Sequence, residues 1–111
     1  METSATPEIG EVFNGLYSDP NHLEGYRVIT MTDTFENGQR VGTCDGSDTG
    51  KIKEYSLTAL AGRDGEKDTI IVDFSAKGGP ANLHGSWHQD GESKGIVWSD
   101  KNFWTMVDQD K

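Results

Sequence analysis

Gly25-Tyr26-Arg27-Val28-Ile29-Thr30-Met31-Thr32, followed by Glu36-Asn37-Gly38-Gln39 and then Val41 to Cys44, is the stretch that decides the fold. Its first part alternates, with Tyr26, Val28 and Thr30 on one face and Arg27, Ile29 and Met31 on the other. That is the two-residue period of a strand. The Asn37-Gly38 pair then tolerates positive φ at both central positions, as a tight hairpin requires. This predicts two antiparallel strands joined by a short turn.

The same grammar extends in both directions. Upstream, Glu11 to Tyr17 runs into Ser18-Asp19-Pro20-Asn21, a strong turn signal. Downstream, Ile52 to Leu60 groups Tyr55, Leu57 and Ala59 on one face, and Arg63-Asp64-Gly65-Glu66 turns the chain into Thr69 to Phe74. Leu83 to His88, Gly95 to Ser99 and Asn102 to Val107 follow, joined through Gln89-Asp90-Gly91-Glu92 and Asp100-Lys101-Asn102. Seven or eight short strands with short connections leave no room for parallel crossovers. The expected fold is all-β, an antiparallel meander closed or partly closed into a barrel, with a β-sandwich as the alternative. Residues 52–61 are the one segment where a short helix also fits.

Residues 1–8 read as a disordered lead-in, and residues 9–111 as one barrel domain, since 111 residues hold one core. Leu, Ile, Val and Phe make up just under a fifth of the chain, so three Trp and three Tyr must supply much of the buried area.

Ten Lys and Arg against nineteen Asp and Glu give a formal charge of -9. Such a surface offers no basic footprint for nucleic acid and is repelled by anionic membranes. The single cysteine, Cys44, rules out an internal disulfide, and the first residues show no secretory pattern. A cytoplasmic or other reducing intracellular compartment is expected, with the protein a monomer or weak dimer.

Gly15-Leu16-Tyr17, a glycine two residues before an aromatic in the first strand of a small meander, resembles the opening of the calycin group, the lipocalins and avidins. In that group the aromatic position holds Trp. The resemblance implies a closed barrel with one open end able to hold a small ligand. Gly85-Ser86-Trp87 shares the spacing, which is most simply a packing device.

Several groups carry candidate chemistry. Asp19-Pro20-Asn21-His22 places a carboxylate, an amide and an imidazole in one turn, suited to acid–base work or to a polar ligand. The simpler reading is that Asp19 and Asn21 cap the turn through the backbone. Arg27 and Asp73 lie among apolar strand residues. Facing inward, each needs a partner, and they could serve one another; facing outward, they are a solvated pair. Trp87, Trp98 and Trp104 either stack on a ligand or fill the core. His84 and His88 have the spacing of a helical metal pair, but on a strand they stand about 13 Å apart and cannot share an ion. Asp45-Gly46-Ser47-Asp48-Thr49-Gly50 partly imitates a calcium loop, yet its twelfth position is Ser56, which favours a plain turn. Cys44 has no activating neighbour in sequence. No metal or cofactor is expected.

The leading expectation is a non-enzymatic binding domain that takes a small molecule or a protein at the barrel mouth. Its ligand-facing residues would be Tyr17, Asp19, His22, Arg27, Asp73 and Trp98. The alternatives are a small enzyme using the Asp19–His22 turn and an acidic module that recognises a basic protein.

Overall fold

The computed structural model describes residues 9–50, 54–91 and 93–107. The expected lead-in, residues 1–8, lies outside them. Eight strands run in chain order: β1 (Gly15–Ser18), β2 (Tyr26–Glu36), β3 (Gln39–Ser47), β4 (Tyr55–Asp64), β5 (Lys67–Val72), β6 (Leu83–Asp90), β7 (Ser93–Trp98) and β8 (Phe103–Val107). Each pairs antiparallel with its sequence neighbour, and β1 also pairs with β8 through Leu16↔Val107, Tyr17↔Met106 and Ser18↔Thr105. The sheet closes into a barrel, so each of these eight strands has a paired neighbour on both sides. The sandwich alternative is excluded. So is a helix at residues 52–61, because β4 pairs with β3 from Tyr55 onward.

The alternation read in β2 holds: Arg27, Ile29 and Met31 are buried, while Thr30 and Thr32 are exposed. Asn37 and Gly38 form the hairpin with φ of 53° and 82°. The pairing shifts between Met31 and Phe35, and the segment from Thr32 to Gly38 is exposed. Residues Glu11–Phe13 depart from the expected first strand. They form a 3-10 turn, entered through Gly10 at φ 81°.

That turn seals one end of the barrel. Phe13 is fully buried and meets Trp87 edge-on at 5.9 Å, and the Tyr17 hydroxyl donates to the Phe13 carbonyl at 2.8 Å. Arg40 straps the segment down, donating to the Ile9 carbonyl at 3.2 Å and to Glu11 at 2.9 Å. Burial pushes the Tyr17 phenol far above its ordinary range, consistent with a neutral core hydroxyl.

Between the ends, Ile29, Cys44, Leu57, Ala59, Ala61, Ile70, Val72, Ile96, Trp98 and Trp104 fill the interior. Small residues face large ones, as a narrow barrel needs. Gly85 is one such gap, since a Cβ there would come within 2.7–2.8 Å of Ile96 and Trp98. The recurring glycine therefore makes room for Trp98 on the next strand rather than for Trp87 beside it. The thiol of Cys44 is wholly buried. No helix among the described residues is long and apolar enough to cross a membrane.

Gly95 permits the β7–β8 ladder, because a Cβ there would stand 1.9 Å from the Trp104 carbonyl oxygen. Gly95→Ala is expected to lower unfolding free energy by about 2 kcal/mol or more, read by urea denaturation. A midpoint unchanged from wild type would contradict this account of the closure.

Candidate functional site

In an up-and-down meander, alternate connections share one end of the barrel. Here the β1–β2, β3–β4, β5–β6 and β7–β8 connections gather opposite the sealed end. The first is shaped by Asp19. Its Oδ1 accepts from the Asn21 backbone N–H at 2.9 Å, and the His22 N–H reaches the Asp19 carbonyl at 2.9 Å. This is the turn-capping role expected of an aspartate there. The same carboxylate also reaches outside the turn. Oδ1 accepts from the Asn102 amide at 3.1 Å, and Oδ2 accepts from Arg27 Nη2 at 3.1 Å.

Arg27 rises from β2 into the barrel and is 1 % exposed. Its guanidinium carbon lies 5.3 Å from the Trp104 ring centre and 5.8 Å from that of Tyr55. Nη1 donates to the carbonyls of Ser47 (3.0 Å) and Tyr26 (3.1 Å), and Nη2 donates to Asp48 at 2.7 Å as well as to Asp19. Two carboxylates thus share one buried cation, which offsets its loss of water. His22 completes the cluster. Its Nδ1 lies 3.2 Å from Arg27 Nη2, and its Nε2 lies 3.7 Å from Asp48. Nδ1 also lies 3.4 Å from Asp19 Oδ2, and with the ring proton on Nδ1 the imidazole donates to that carboxylate.

Burial works against ionisation of Asp19. The Asn21 N–H, the Asn102 amide, the Arg27 charge and His22 together outweigh it and hold the carboxyl below its ordinary 3.8. Burial pushes the Tyr55 phenol upward, although the neighbouring Arg27 pulls the other way.

Beside this cluster opens a cleft of about 190 Å³. Asp19, Asn21, His22, Asp100 and Asn102 form its polar side, while Phe74, Pro80 and Leu83 form its apolar wall. Trp98 and Trp104 lie beneath with ring centres 4.8 Å apart, and Phe74 meets both edge-on at 5.8 and 6.0 Å. Two buried donors on lining residues, Arg27 Nε and Trp98 Nε1, find no acceptor among the described residues. Each such group costs about 1–3 kcal/mol while it stays unpaired.

Of the residues expected to face a ligand, Asp19, His22, Arg27 and Trp98 come together at this cleft. Tyr17 does not line it; its hydroxyl is spent at the sealed end. Asp73 is exposed and accepts from the Ser75 N–H at 2.9 Å, and its bonds with Ser75 hold its carboxyl low. The pairing of Arg27 with Asp73 does not occur, nor do they form an outward pair. Arg27 points inward and takes Asp19 and Asp48 instead. Asp48, Asn102, Phe74 and Trp104 also belong to the site. Their signal was positional, since all lie in or beside loops that a meander collects at one end.

The other motifs resolve simply. His84 and His88 are exposed on β6, and His88 meets the Phe103 ring edge-on at 5.7 Å. Asp45, the first residue of the calcium-like run, lies within β3 opposite Ser56, the residue in the twelfth position. The Ser56 hydroxyl donates directly to the Asp45 carboxylate. Ser47 and Thr49 are tied into the following loop, where Thr49 donates to Glu54 at 2.7 Å. That bond is the chief reason the Glu54 carboxyl is held low. No group of three or more His, Cys, Asp and Glu among the described residues is arranged to hold a metal ion.

A carboxyl held low by the fold adds stability above its unfolded pKa of about 3.9 and loses that contribution as pH falls through the folded value. Wild type should therefore lose urea resistance more steeply than Asp19→Asn between about pH 5 and pH 2.5, the two curves converging in acid. Parallel curves would remove Asp19 from the network's energetics. No protein-family model, curated protein or solved structure matches the chain, so what the cleft holds is argued from its own atoms.

Proposed function

We propose that this chain is a non-enzymatic binding domain that holds a small molecule at the open end of a calycin-like barrel. One observation carries the reading. Beside the network set by Arg27 lies an open cleft of about 190 Å³ that joins a polar side of Asp19, Asn21, His22, Asp100 and Asn102 to an apolar wall of Phe74, Pro80 and Leu83. A concave space with an apolar wall and a few convergent polar groups is the usual form of a small-molecule site. The surrounding geometry is set in advance by Arg27, Asp19, Asp48 and Asn102, which lowers the ordering cost of binding. Gly15-Leu16-Tyr17 in the first strand supports the calycin likeness.

The same contacts weigh against the acid–base reading. Both oxygens of Asp19 are occupied and its charged form is favoured, while His22 Nδ1 is held between Asp19 Oδ2 and Arg27 Nη2. A general base needs a free lone pair within reach of substrate. A protein partner is the second reading, favoured by Leu23. It is 77 % exposed in the β1–β2 loop beside the cleft.

A fragment library titrated into ¹⁵N-labelled protein tests the proposal. Shifts should gather at Asn21, His22, Leu83, Asn102 and the Trp98 indole, leaving Gly10 and Asn14 at the sealed end unmoved. Leu83→Trp, which fills the cleft from its apolar wall, should weaken the best binder at least about tenfold and change stability by only about 1 kcal/mol. Shifts confined to Leu23 and its exposed neighbours, and indifferent to Leu83→Trp, would favour the protein partner and sink the small-molecule reading.

A further inference from the structure

The charges beside the cleft do not balance, and that imbalance selects among occupants. Asp19 and Asp48 both pair with Arg27, at 3.1 and 2.7 Å. Asp100 lines the cleft from the β7–β8 connection, is exposed, and forms no ion pair among the described residues. Asn102 draws two of these acids to one side. Its backbone N–H donates to Asp100 at 3.0 Å, and its side-chain amide donates to Asp19 at 3.1 Å. Three carboxylates less one guanidinium leave two negative charges, counting His22 as neutral.

An anion entering the cleft meets that field without reaching the cation beneath it. Arg27 is 1 % exposed, and both of its terminal nitrogens already donate within the protein. A cation meets an accessible carboxylate that no positive side chain has neutralised. The opposite wall sets the rest of the molecule. Phe74, Pro80 and Leu83 offer apolar surface that a ligand gains by removing from water. At about 190 Å³ the space is below the roughly 300–1,000 Å³ of drug-sized sites, so the apolar body is small.

Resting on the reading that this cleft is a binding site, we propose that its ligand is a small organic cation. An ammonium group is set against Asp100, and a single apolar ring or short chain carries it along the wall of Phe74, Pro80 and Leu83. The concave wall makes the site, and the carboxylates decide the sign of the charge it takes.

Benzylamine, benzyl alcohol and benzoate share a ring and differ in charge, while methylammonium keeps the charge without the ring. Each is titrated at pH 7.5 into the ¹⁵N-labelled full chain. Benzylamine should move the Asn21, Leu83 and Asn102 signals. It should bind about threefold or more tighter than benzyl alcohol, and about tenfold or more tighter than benzoate or methylammonium. Asp100→Asn keeps an acceptor for the Asn102 N–H and removes the charge. It should narrow the advantage of benzylamine over benzyl alcohol to less than about twofold. Glu66→Gln removes a charge at an exposed position in the β4–β5 turn, at the other end of the barrel, and should leave that advantage in place. Equal narrowing by the two variants overturns the proposal, because the charge of the whole chain then sets the preference. Benzyl alcohol, benzoate or methylammonium binding as tightly as benzylamine overturns it too. Cleft shifts from other fragments with none from benzylamine also sink it, while the binding reading survives. If no fragment moves a cleft signal, that reading falls and takes the proposal with it.

Discussion

A guanidinium placed inside a small barrel is the constraint that organises this molecule. Taking Arg27 out of water costs several kcal/mol, and only well-placed acceptors return it. They come from distant parts of the chain: Asp19 after β1, Asp48 after β3, and the carbonyls of Tyr26 and Ser47. Asn102, between β7 and β8, joins through Asp19. The barrel must close before these groups meet, so the charge network and the sheet topology depend on each other. Removing either carboxylate leaves the cation under-compensated, which is why neither is interchangeable with an ordinary turn residue.

The two ends of the barrel use the same device for different results. At the sealed end a second buried arginine, Arg40, ties the Ile9 carbonyl and Glu11 over the opening, and Phe13 plugs what remains. At the open end Arg27 ties the loops to the rim, and no equivalent of Phe13 crosses the mouth among the described residues. The polar atoms stay aligned around a space that is lined rather than covered. Such an arrangement fits recognition better than chemistry. The carboxylate that could take a proton is the one most heavily engaged in holding the mouth together.

Much of the fold was legible because it rests on alternation and on turn chemistry. The face assignment of Arg27, Ile29 and Met31, the Asn37-Gly38 hairpin and the grouping of Tyr55, Leu57 and Ala59 all follow from local rules that tertiary contacts did not override. The 3-10 turn at Glu11–Phe13 was not legible. Its apolar residues fit a strand equally well, and only the geometry of barrel closure turns Phe13 into a plug. For the site, the turn chemistry of Asp19 was readable but its partners were not. Arg27 and Asp73 read alike, as an inward pair or an outward solvated one, because both sit among apolar residues. Yet Asp73 lies just past β5, where the chain leaves the ladder and its side chain is free to face water. Asp48 was hidden inside a run that read as a turn. Counting connections would have helped, since a meander puts Asp19, Asp48, Asp73 and Asp100 at one end and leaves inward direction as the only choice among them.

The thinness of the aliphatic core also sets the depth of the site. Lipocalin-type barrels can enclose a ligand in their interior. This one fills its interior with Tyr17, Trp98, Trp104 and Ile29, because few Leu, Ile and Val are available to do so. The open space is thereby pushed up to the rim, where Phe74 packs over the two Trp rings. Trp98 and Trp104 consequently belong to the core and to the cleft at once. Carving a deeper cavity would remove the aromatic contacts that replace the missing aliphatics, at a cost of several kcal/mol for each large side chain lost. A barrel of this composition can reshape the cleft by altering the loops around Arg27, but it cannot readily enlarge the space beneath them.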